Sequence, residues 1–237
     1  MKLFSLFLSL SISLFANNLL EEIDRNLTPQ SAQMYKKLIN IEPDGEKKEF
    51  LLFQAKKDKE KMVSLFLAPE SEKGRSTLRL GDNMWLYIPN VGRPIRITSM
   101  QSVVGGVFNN ADIMRLDFSS EYVLEHKEDK KSYLLLTLKA KNDTVSYEKL
   151  LMKVDKKTLT PLQIECYTST LLLIKTLYYK KFKDFGDGIV RPSIVETNSP
   201  MYKGYKSVMI YGKIIPKTFN DEAFTLDNLS KVSALRR

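Results

Sequence analysis

From Gln33 to Ile214, apolar side chains recur at alternate positions in one short run after another, and each run stops at a polar or glycine-containing turn. A period of two places successive side chains on opposite faces of an extended chain, so this repetition commits the chain to β-structure. The first runs are "QMYKKLINIEP", "KKEFLLFQAKKD", "KMVSLFLAP", "RSTLRLG", "NMWLYIP" and "PIRIT". The later ones are "YVLEHKE", "SYLLLTLKA", "EKLLMKV", "PLQIECY", "TLLLIKTLYYKKF", "GIVRPSIVE" and "YKSVMIYGKI". In "EKLLMKV", Leu150, Met152 and Val154 oppose Lys149 and Lys153; in "PLQIECY", Leu162, Ile164 and Cys166 oppose Gln163 and Glu165. Links as short as "PDGE", "EDKK", "DKKTLT" and "DFGDG" join neighbouring strands only in antiparallel fashion, which predicts a long meander.

Three segments depart from this period. "NLLEEIDRN" sets Leu19, Leu20 and Ile23 on one helical face, ending at Thr28-Pro29. "NNADIMRLD", Asn109 to Asp117, opens on a capping Asn and reads as a helical turn. "NDEAFTLDNLSKV", Asn220 to Val232, reads as a closing helical segment. A large antiparallel sheet with a few short helices predicts a strongly curved sheet, part of a barrel, with a helical lid. Strands such as "MVSLFLA" and "SYLLLTL" are apolar on both faces. Either both faces are buried, or one lines a cavity.

The ends and the charge narrow the setting. "MKLFSLFLSLSISLFA" carries Lys2, an apolar stretch and a small residue at Ala16, the pattern of a cleavable secretory signal over residues 1 to 16. The expected mature chain, 17 to 237, is one domain in the periplasm and a monomer. The single cysteine, Cys166, permits no internal disulfide, so stability has to come from the 43% of residues that are hydrophobic. A formal charge of +9 favours acidic partners, and export disfavours nucleic acid among them.

Catalytic chemistry finds few groups to work with. His126 lies in the charged run "EHKEDKK", and Cys166 sits on the apolar face of its strand with no histidine near it in sequence. One Cys and one His cannot make a Cys/His metal site, and "VVGGVFNN" lacks the lysine of a phosphate loop. The expectation is a protein that is not an enzyme and needs no metal or cofactor.

The densest cluster of rare residue types is "LAPESEKGRSTLRLGDNMWLYIPNVGRPIRI", with the only tryptophan of the chain. It resembles the LolA-like family of outer-membrane lipoprotein-sorting proteins, through Phe66, Pro69, Gly74, Leu78, Gly81, Met84, Trp85, Tyr87, Pro89, Arg93, Arg96 and Ile97. "VVGGVFNNADI", "DKKTLTPLQIECY" and "GIVRPSIVE" resemble later family segments, so the likeness runs through most of the chain. "TSMQSVVGGVF" is more apolar than the serine-rich run many relatives carry there.

The resemblance implies a half-open antiparallel β-barrel closed by a helical lid around an apolar cavity for lipid or lipoprotein acyl chains. It also implies an inner-membrane transporter of ABC or RND type as donor and an outer-membrane acceptor. Accessory work for a lipid-exporting permease, or a non-catalytic envelope interaction without cargo, is the alternative. The expected cavity wall is Leu65, Leu67, Leu78, Leu80, Trp85, Tyr87, Ile95 and Ile97, with Arg93 and Arg96 at its mouth. Trp85 and Tyr87 share one strand face, Met84, Leu86 and Ile88 the other, and the aromatic pair is expected to face the cavity. The expected lid residues are Val103, Val104, Val107, Phe108, Ile113 and Met114.

Overall fold

The computed structural model describes residues 18–236. The secretory signal expected over residues 1 to 16 lies outside the described residues. Thirteen antiparallel strands form one sheet in the order β6-β5-β4-β3-β2-β1-β13-β12-β11-β10-β9-β8-β7. They are β1 (Ser31–Ile41), β2 (Lys47–Lys57), β3 (Lys61–Ala68), β4 (Ser76–Leu80), β5 (Asn83–Tyr87), β6 (Pro94–Ile97), β7 (Tyr122–Asp129), β8 (Tyr133–Ala140), β9 (Lys149–Asp155), β10 (Pro161–Tyr167), β11 (Leu173–Asp184), β12 (Val190–Asn198) and β13 (Lys206–Pro216). Every strand predicted from the period of two is present, within a few residues of its expected ends.

Each strand pairs with its sequence neighbours, except at two places. The first and last strands, β1 and β13, pair at the centre, with Leu38 opposite Met209. The two strands flanking residues 98–121, β6 and β7, are the edges of the sheet and do not pair with each other. The sheet is therefore open, and the 98–121 segment crosses from one edge to the other.

β1 shows why one face is the core: its burial alternates without a break, with Ala32, Met34, Lys36, Leu38 and Asn40 buried and the residues between them half-buried. On this inner face lies α1, helical over residues 18–27, which buries Leu20, Ile23 and Leu27. Each such side chain contributes roughly 1.5–3 kcal/mol by leaving water. The crossing lies on the same face and carries α2 (Asn110–Ile113) and α3 (Phe118–Glu121). Together they complete one large core with Leu136, Leu150, Met152, Ile164 and Met209 of the sheet.

The outer face divides. Over β2 to β5 it is apolar and covered by two short 3-10 helices, Asp221–Phe224 and Leu229–Arg236, which sink Phe224, Leu229 and Val232. The closing segment is thus helical where predicted, but in tighter 3-10 turns than an α-helix. Over β8 to β10 the outer face carries Lys149, Lys153, Gln163 and Glu165, none of them buried.

Candidate functional site

The crossing is where the chain concentrates buried charge. Asn109 caps α2: its side chain accepts from the Asp112 backbone N–H, and the Asp112 carboxylate accepts from the Asn109 N–H in return. That exchange fixes Asp112 so that one carboxylate also accepts from Lys175 Nζ of β11 at 2.8 Å and from the Tyr147 hydroxyl at 2.9 Å. Arg115 lies 3.5 Å from the same group. Asp117 pairs with Lys56 of β2, and Glu121 with Arg79 of β4.

Backbone carbonyls of the crossing are held too. Lys36 and Gln54 both donate to the Ile113 carbonyl, at 3.2 and 3.0 Å. Arg79 donates to Met114 O at 3.0 Å, and Lys175 to Val107 O at 2.5 Å. At the tip, Asn40 donates to Val104 O at 3.1 Å and accepts from Ser207 Oγ, which itself accepts from the Val107 N–H. Gly106 is required there, because a Cβ would lie 2.1 Å from the Asn40 side-chain oxygen.

α1 joins the same network. Asp24 accepts from the backbone N–H groups of Phe118 and Ser119, at 2.7 and 2.9 Å. Burial, and then the neighbouring Asp117, outweigh those bonds and raise its carboxyl to about 6.

Beneath these polar ties the crossing is apolar. Five expected lid residues, Val103, Val107, Phe108, Ile113 and Met114, are buried, and Val104 is half-buried. Val103, Val104, Phe108 and Ile113 pack in the inner core, and Met114 packs with Met62, Met84 and Leu116. Five of the six thus pack on the inner side of the sheet, and the sixth, Val107, is buried with its N–H on Ser207 Oγ.

The residues of the expected cavity wall do not share one face of the sheet. Leu65, Leu67, Leu78, Leu80, Trp85 and Tyr87 belong to the outer cluster with Phe53, Phe219, Phe224 and Leu229, beneath the C-terminal segment. Ile97 opposes Met84 and packs with the inner methionines, while Ile95 opposes Leu86 and is exposed. Because both faces of β3 to β5 are apolar, alternation separates the two sets without naming the inner one. Arg93 is exposed, and Arg96 sits opposite Trp85 on the outer side, donating to the Asn83 side-chain oxygen.

The enclosed space beneath α1 and the crossing is about 50 Å³ and is lined by both charged and apolar groups, including Lys36, Asp112, Arg115, Asp117, Arg191 and Tyr211. These residues were not singled out from the sequence. Their signal was phase: Lys36 falls between Met34 and Leu38, and Lys56 follows Leu52 and Gln54, on the inward parity of their strands.

Cys166 and His126, the nucleophile and base weighed in the sequence, lie on different strands, β10 and β7. Cys166 is fully buried, and burial pushes its thiol up to about 12. His126 is exposed on edge strand β7, 3.8 Å from Glu128. No helix among the described residues is long and apolar enough to cross a membrane.

A protein-family model described as "Uncharacterized protein" matches residues 58–231. No curated protein matches the chain significantly. Among solved structures, a LolA superfamily protein from Nitrosomonas europaea is 28% identical, with a TM-score of 0.81 over 90% of this chain and 99% of that one. A DUF1329 family protein from Desulfovibrio piger has a TM-score of 0.76 at 20% identity, covering 92% of this chain and 98% of its own. A domain assigned to outer-membrane lipoprotein sorting in Vibrio parahaemolyticus gives 0.75 at 18% identity, covering 92% and 99%. Sequence phrase, strand order and end-to-end superposition agree, and the chain belongs to the LolA-like family.

Proposed function

We propose that this protein is a non-catalytic carrier of acyl chains, exported to the periplasm, with residues 17 to 237 acting as one lipid-binding domain. The observation that carries this reading is the pairing of an apolar inner sheet face with a cover fastened mainly through side chains. Val103, Phe108, Ile113 and Phe118 lie on that face, while Lys36, Lys56, Arg79 and Lys175 grip the crossing by its carbonyls and carboxylates. Moving such a cover exchanges polar contacts for water and opens apolar surface able to take acyl chains at roughly 0.8 kcal/mol per buried methylene. In this reading acyl chains bind on the inner sheet face against which α1 and the crossing pack.

The inward set, Ile97 with Leu38, Phe50, Leu52 and Phe66, is the cargo wall, and the lid residues of the crossing close on it. An inner-membrane transporter loads the carrier and an outer-membrane acceptor unloads it. The sorting domain from Vibrio supports lipoprotein acyl chains as the first cargo to try. The test is native mass spectrometry of protein purified from its own cell envelope, with uptake of a fluorescent fatty acid as a second measurement. Stoichiometric co-purified acyl species are expected. Their reproducible absence, with no uptake, overturns the carrier.

A further inference from the structure

Five buried cations, Lys36, Lys56, Arg79, Lys175 and Arg191, together with Arg115, share the inner face with four buried carboxylates. Lys56 pairs with Asp117, Arg79 with Glu121, and Lys175 and Arg115 with Asp112; Asp24 takes two backbone N–H groups. Lys36 and Arg191 form no ion pair among the described residues. Arg191 donates to Leu27 O, Pro192 O and the Thr28 hydroxyl, and Lys36 to Ile113 O. Both stand against one ring: the Arg191 guanidinium is 3.9 Å and Lys36 Nζ 4.9 Å from the centre of Tyr211.

Two buried cations whose partners are neutral are costly. Burial, and then Arg191 nearby, pull the Lys36 ammonium below its usual range. Burial pushes the Tyr211 phenol up, but Lys36 and Arg191 outweigh it and bring the phenol down to about 8. Lys36, Arg191, Arg115 and Tyr211 all line the 50 Å³ cavity, which is large enough for several waters or one phosphate group. The carboxylates that line it too, Asp24, Asp112 and Asp117, are those already engaged above. An adjoining crevice shares Asp24, Thr28 and Asp117 with the cavity and leads past Arg25 and Lys59.

We infer that Lys36, Arg191 and Tyr211 form a buried oxyanion site that takes one phosphate group, either free or carried by a lipid. The planar guanidinium and the ammonium supply charged donors, and the phenol a third. Only the lipid source rests on the carrier reading; the site itself does not.

Tyr211 reports on the site directly. Its ionisation is followed by ultraviolet absorbance, with Tyr211→Phe identifying the step, in chloride and in inorganic phosphate at matched ionic strength. Dihexanoyl phosphatidylglycerol and neutral dihexanoylglycerol form the lipid arms. Phosphate in the site offsets the two cations, so the Tyr211 step is expected to move to higher pH. Lys36→Met should weaken phosphate binding, read by calorimetry, at least tenfold. Arg191→Lys, which keeps the charge and loses the fork, should weaken it less. A response to both phosphate compounds, or to one alone, supports the site and names its source. A Tyr211 step unmoved by either, or a folded Lys36→Met protein binding both as the parent does, overturns it. Uptake of a neutral fluorescent acyl probe by that same protein shows separately whether the carrier reading stands.

Discussion

Two covers lie on opposite faces of one sheet, and they are fastened by different physics. The inner cover, residues 98–121, is tied by buried ion pairs and by side chains reaching its carbonyls. The outer cover, the 3-10 turns after Phe219, is held by Phe219, Phe224, Leu229 and Val232 against Leu65, Leu78, Trp85 and Tyr87. Its main buried polar tie is Ser76 Oγ donating to Leu229 O at 2.7 Å. Burying apolar surface is favourable in itself, whereas ion pairs in a core must first recover the cost of leaving water. The outer cover rests almost wholly on apolar burial, whereas the inner one adds buried ion pairs to its apolar seat, and in the proposed carrier those pairs are the fastening that returns to solvent on opening.

The largest break in this contrast comes from Asp112→Ala. It leaves Lys175 buried without its carboxylate, which should cost about 3–5 kcal/mol in urea unfolding and raise amide exchange through residues 103–121. Phe224→Ala strikes the other cover and should cost about 3–4 kcal/mol, with added exchange confined to the C-terminal segment and acyl uptake unchanged.

Next in size is Asp24, whose carboxyl is held at about 6 in the folded protein against an ordinary 3.8. A raised acid binds its proton more tightly when folded, so its favourable contribution is complete below pH 3.8 and is lost as pH climbs past about 6. Stability of the parent relative to Asp24→Asn should therefore fall by about 2–3 kcal/mol between pH 4 and pH 7, measured by chemical denaturation. The smallest effect is Ser76→Ala, about 1 kcal/mol on the urea midpoint, because one neutral hydrogen bond is all that is removed.

The strands were legible because burial on one face leaves a period of two, and β1 keeps it through all eleven residues. α3 was not read from the sequence: four residues, Phe118 to Glu121, are too few to display a helical period. The side of Trp85 and Tyr87 was not legible either. In "MVSLFLA" both parities are apolar since both covers need apolar seats, and the sequence carries no mark of which cover is inside. The buried cations escaped for a related reason. A lysine within a strand reads as solvent-facing, and only its phase with Met34 and Leu38 betrays Lys36.

The central pairing of β1 with β13 also sets an order of assembly. Strands β1 to β6 and β7 to β13 each zip from one hairpin to the next with short loops, and such local contacts form early. Joining Leu38 to Met209 requires closing a loop over most of the chain. The middle of the sheet is thus its longest-range seam, and a chain emerging N-terminus first cannot form it until β13 has appeared. The 98–121 segment ties both ribbons together through Arg79 on one and Lys175 on the other, and so acts as a brace across that seam.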